Sequence, residues 1–141
     1  MITMLSNFET GWSKIKIGDF TGIPSYITDV PVDLLTVFID YYKKNTSAML
    51  FDEEGSEFTI VLSNEFIYVI YFTQNCEAIF YEFPEIFIND LAKELIEDIE
   101  NNLDSWSRFS ASINSEEEIS QERKLLINLI SELKGMIIHY A

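Results

Sequence analysis

Polar and apolar residues alternate with period two at Lys14-Ile15-Lys16-Ile17, the pattern of a strand with one face on a core and the other in water. Gly18-Asp19 and Gly22-Ile23-Pro24 punctuate the chain after it, and a short second strand is expected at Ser25 to Thr28. From Pro31 the period lengthens. Leu34, Leu35, Phe38, Tyr41 and Tyr42 share one stripe, Asp33 favours the first turn and Lys43-Lys44-Asn45 the last, which predicts a helix from about Pro31 to Lys44. Four short segments rich in β-branched and aromatic residues follow: Ala48 to Phe51, Phe58 to Leu62, Phe66 to Phe72 and Ala78 to Phe83. The turns between them, Asp52-Glu53-Glu54-Gly55, Ser63-Asn64-Glu65 and Thr73-Gln74-Asn75, are too short for a helical crossover, so the strands form an antiparallel meander.

Beyond Pro84 the period becomes helical again. Ile88, Leu91, Leu95, Ile99, Leu103 and Trp106 recur at steps of three and four, predicting one helix of roughly twenty residues. Ser107 to Asn114 breaks the pattern, and Ser115-Glu116-Glu117-Glu118 then has the form of a capping box. A third helix follows, with Ile119, Leu126, Leu129, Ile130, Leu133 and Ile137 as its apolar stripe, and Gly135 either ending it or lying inside it. The expected fold class is α+β. Residues 1–141 form a single domain, an antiparallel β-meander of about four to six strands with three helices packed mainly on one face.

Composition sharpens this picture. The 141 residues hold 9 Lys plus Arg against 24 Asp plus Glu, a net charge of −15, with 48% hydrophobic and 14% aromatic content. Such apolar content argues against an acidic disordered chain, and the charge disfavours direct contact with nucleic-acid phosphates. Cys76 is the sole cysteine, so a disulfide within the chain and a thiolate metal cluster are both excluded; a small buried hydrophobe is expected there. Met1 to Phe8 has neither the basic start nor the cleavage site of an export signal, and the longest apolar run, Phe66 to Phe72, falls far short of a membrane span. A cytoplasmic protein with no membrane partner is expected.

The charge is clustered. Glu85 to Glu122 carries eleven acids against Lys93 and Arg108. Asp90 and Glu94, Glu94 and Asp98, and Glu100 and Asp104 are each four apart, so like charges face one another on one helix. Two explanations compete: a solvated surface that keeps the chain soluble, or a surface that pairs with Lys and Arg of a cationic partner. On the second, the candidate partner-binding residues are Asp90, Glu94, Glu97, Asp98, Asn101 and Asp104, with Asp52, Glu53 and Glu54 on a hairpin turn and Trp12 as an exposed anchor. Trp106 continues an apolar stripe and is expected to be buried, whereas Tyr68 and Tyr81 or their neighbours could lie on an open sheet face.

Catalytic chemistry is scarce. His139, the only histidine, lies two residues from the end of the sequence, a weak position for the base of a Ser-His-Asp or Cys-His arrangement. No glycine-rich phosphate loop or calcium loop is present, and neither a catalytic residue, a cofactor nor a metal is expected.

With its Ile17-Gly18-Asp19-Phe20 strand end, aromatic meander, closing helices and acidity, the chain resembles the small immunity proteins of bacterial contact-dependent growth inhibition and related polymorphic toxin systems. That resemblance implies a monomeric, stoichiometric inhibitor of a cognate toxin domain, a basic nuclease, acting by charge-complementary blockade. In size and charge the chain also resembles small acidic secretion chaperones, and a phosphate-mimicking inhibitor of a nucleic-acid enzyme is a further alternative.

Overall fold

Eleven elements follow one another in the computed structural model, which describes residues 4–9 and 11–140, the side chains of 8, 9 and 138–140 excepted. They are β1 (Leu5–Glu9), β2 (Trp12–Ile17), β3 (Phe20–Gly22), α1 (Val30–Lys44), β4 (Thr46–Asp52), β5 (Glu57–Ser63), β6 (Phe66–Phe72), β7 (Ala78–Glu82), α2 (Ile88–Asn101), α3 (Leu103–Ser107) and α4 (Glu116–Tyr140). The side chain of His139, and Met1 to Thr3 at the start of the expected leaderless segment, lie outside the described residues.

The α+β class holds, with the strands divided between two antiparallel sheets, β1-β2-β3 and β4-β5-β6-β7. Local chemistry sets the larger sheet. Asn64 and Glu65 both take positive φ in the two-residue turn that pairs Ser63 with Phe66, the conformation a tight hairpin requires. The register then stacks Phe51, Phe58, Tyr71 and Ile79 in one cross-strand row, and Met49, Ile60, Val69 and Tyr81 in the next, on the inward face, although Ile79 at the sheet edge stays exposed. Cys76, expected in the interior, is exposed instead: it holds a left-handed φ of 62° in the turn before β7, where its backbone N–H donates to the Thr73 carbonyl.

The inward face has two covers. α1 packs across β4 and β5, and Phe20 of β3 brings its ring edge-on to Phe58 and Tyr81, with centroids 5.1 Å apart in each case. Gly22 lets the small sheet approach this closely, since a Cβ there would come within 2.4 Å of the Phe58 ring. The short strand expected at Ser25 to Thr28 is absent; only Ser25 pairs, in one bridge to Trp12, and the third strand of the small sheet lies earlier, at Phe20–Gly22. Long-range pairing, rather than local propensity, selects that segment.

α1 starts one residue before Pro31 because the Asp29 carboxylate accepts from the Val32 amide, and it stops where Asn45 turns left-handed at φ 62°. Its other side receives α2 and α4. The single helix expected from Ile88 to Trp106 is two, divided at Asn102. There the backbone leaves the helical region (φ −136°, ψ 38°), and the Asn side chain donates to the Asp98 carbonyl in place of a continued helical ladder. Trp106, on α3, is buried as its stripe implied. α4 runs through Gly135, which is exposed and has nothing within 4 Å of a would-be Cβ.

Candidate interaction surfaces

Along α2 and α3 the positions Asp90, Glu94, Glu97, Asn101 and Asp104 are spaced four, three, four and three apart. They lie on the side of the helix opposite the buried Leu91, Leu95 and Ile99, so the sequence spacing does produce one outward acidic stripe. Within it, among the described residues, only Asp104 has an ion-pair partner, Arg108 at 3.3 Å. Burial pushes the Glu94 carboxyl above its ordinary range, reinforced by the neighbouring charges of Asp98 and Asp90.

Asp98 stands apart from the stripe. Its Oδ2 accepts from the backbone amides of Met4 at 2.8 Å and Leu5 at 2.9 Å, which fastens α2 to the start of the small sheet. Partial burial raises its pKa although those two amides favour the ionised form. A carboxylate holding two amides is a structural strap. Glu100 is likewise engaged, at 2.8 Å from Lys134 of α4.

The acidic turn after β4 divides in the same way. Glu53 Oε2 accepts from the Ile23 amide at 2.6 Å and its Oε1 from the Ser56 hydroxyl, joining the two sheets, while Asp52 accepts from the Glu54 amide. Glu54 is the most exposed of the three, Asp52 and Glu53 being half-buried. Trp12 is half-buried in β2, opposite Glu9 and bridged to Ser25, rather than a free-standing anchor.

Two further surfaces carry chemistry that the acidic pattern does not announce. One is an open groove between the end of α1, the β5–β6 turn and the start of α2, where Lys43, Lys44 and Lys93 gather beside Phe66 and Phe87. Tyr42 donates across it to Asn89, and Lys43 is already 3.0 Å from Glu132.

The other is the outward face of the larger sheet. Its cross-strand rows are Leu50, Thr59, Ile70 and Phe80, and beside them Ala48, Val61, Tyr68 and Glu82. Phe80 is 57% and Leu50 50% exposed, and the Tyr68 and Phe80 rings lie 5.7 Å apart. Tyr68 is thus on the open face, while Tyr81 points inward against Phe20 and Phe83. A signal for this face exists in the sequence: β6 reads FIYVIYF, apolar at both parities, so each of its faces needs a cover.

One acidic group is interior. Glu122 of α4 is buried against Asp29, the N-cap of α1, and its Oε2 has no hydrogen-bond partner. Desolvation, then the hydrogen bond and charge of Asp29, push its carboxyl up to about 8; desolvation and the same neighbour raise Asp33 to about 6.

The chain matches no protein-family model, no curated protein and no solved structure. Among the described residues no helix is long and apolar enough to cross a membrane.

Proposed function

We propose that this protein is an immunity-type inhibitor, which binds a cationic toxin domain stoichiometrically and neutralises it by occupying its surface rather than by catalysis. The observation that carries this reading is the outward run Asp90, Glu94 and Glu97, without an ion-pair partner among the described residues and kept on a helix where Lys at Glu94 alone would relieve the like charges of Asp90 and Asp98 four residues to either side. Among the described residues four ion pairs exist, engaging only Glu132, Asp104, Glu116 and Glu100, so most of the 24 acids keep their full field. A field of one sign accelerates encounter with a basic partner and repels wrong ones.

The test uses the polypeptide encoded immediately upstream of this chain's gene, where a toxin would be expected. The purified product should bind this chain and lose its activity, with an association rate that falls steeply as salt rises. Charge reversal at Asp90, Glu94 and Glu97 together should slow association by about tenfold or more while leaving the fold intact. Asp98 is omitted because it holds the Met4 and Leu5 amides. Unchanged association in that variant, with the same salt dependence, would make the stripe merely a wet surface.

A further inference from the structure

We propose that the outer face of the four-stranded sheet is where the cationic partner docks, with Leu50, Ile70, Tyr68 and Phe80 as its apolar centre and the surrounding carboxylates as its rim; this rests on the partner-binding reading above. The inward face is closed by α1 and Phe20, whereas no described residue covers the outward rows. Apolar side chains on this face are therefore contiguous across all four strands, and Phe80, the most exposed of them, stands on edge strand β7 beside Tyr68. Contiguous exposed apolar area, rather than scattered single residues, is what marks an interaction site.

Charge identifies the occupant. From Asn45 to Ala92 there is no Lys, Arg or His, against nine acids: Asp52, Glu53, Glu54, Glu57, Glu65, Glu77, Glu82, Glu85 and Asp90. The rows place Asp52 and Glu57 opposite each other on the outward face at one end of the sheet, and Glu82 on the same face at the other. A second copy would set this rim against itself, carboxylate to carboxylate, which disfavours self-association. A protein surface with an apolar centre ringed by Lys and Arg meets the face at every point.

Size supports the same division of labour. Three strands of seven residues and one of five, at about 3.3 Å per residue and about 4.8 Å apart, span a flat area of roughly 400 Å². A stable interface takes about 800 Å² per partner, so the acidic turns must take part alongside the centre. The helical stripe offers no comparable anchor, because its outward residues are carboxylates and one Asn. Aromatic and apolar anchors in a dried centre dominate affinity, while peripheral charge mainly governs encounter. The stripe on α2 steers, and the sheet holds.

The experiment takes the same upstream-encoded polypeptide as its probe. The Leu50→Ser, Phe80→Ser pair should weaken its equilibrium binding at least about 30-fold, chiefly through faster dissociation, with an unfolding midpoint close to the parent's. Independently of any variant, the methyl resonances of Leu50, Val61 and Ile70 in the unmodified chain should shift on complex formation. A footprint confined to α2, or parental affinity in the folded double variant, overturns the docking face while leaving the inhibitor reading intact. Failure of the unmodified chain to bind the probe instead removes the inhibitor reading itself. A dimer of the isolated chain by light scattering, dissociated by the same two substitutions, shows that a second copy is the occupant and overturns the proposal.

Discussion

Glu122 is the residue whose ionisation most directly touches stability. Its carboxyl, buried beside Asp29, is raised to about 8 in the folded chain against 4.5 as the ordinary value. The folded state therefore keeps a proton that the unfolded chain releases above 4.5. The stabilisation is complete below that pH and is lost as pH rises to about 8. Asp33, raised to about 6, adds a loss of the same sign over a narrower window. Glu122→Gln cannot ionise, and its amide can donate to the Asp29 carboxylate. Urea midpoints of the parent should fall between pH 5 and pH 8 more than those of the Gln variant, the two converging at the acidic end. Parallel curves would show that Glu122 is ionised in the fold. The same buried pair illustrates a limit of pattern reading, since Glu122 looks like one more member of an acidic run until α4 lays it against α1.

At the scale of elements, α4 contains an avoidable weakness. Gly135 is helical, exposed and without a neighbour for a new Cβ, so Gly135→Ala should stabilise the protein by about 0.5–1 kcal/mol, read as a higher urea midpoint with an unchanged slope. Elements whose ends are set by near neighbours were legible from the chain. α1 follows from Asp29, Pro31 and Asn45, and β5 to β7 follow from their turns. The miss at Asn102 has a definite cause: Ile99, Leu103 and Trp106 stay in helical step across the break, so periodicity passes through it unmarked. β1 and β3 are short, and only their pairing with β2 makes them strands. Of the candidate site, the outward stripe could be read from spacing, because a helix converts steps of three and four directly into a face. The role of Asp98 could not, for its amide partners lie more than 90 residues away. For the larger sheet, the apolar residues at both parities of β6 announce a second face to be covered, but strand alternation does not say which of the two faces the helices take.

For the molecule as a whole, net charge decides how copies treat one another. The isoelectric point near 4.2 means that the net repulsion between copies at neutral pH vanishes in mild acid. Solubility should pass through a minimum close to that pH, and Phe80→Ser should soften the minimum, as followed by turbidity across a titration. An equal loss of solubility in parent and variant would locate the association elsewhere. β7 makes the underlying hazard concrete. It ends the β4-β5-β6-β7 order, so among the described residues one side of its backbone has no strand to bond, and Ile79 and Phe80 stand exposed along it. Glu77 and Glu82 bracket this segment, placing a carboxylate at each end of the edge where a like strand would begin or finish zipping on, a charge cost levied on any strand that tries to extend the sheet there.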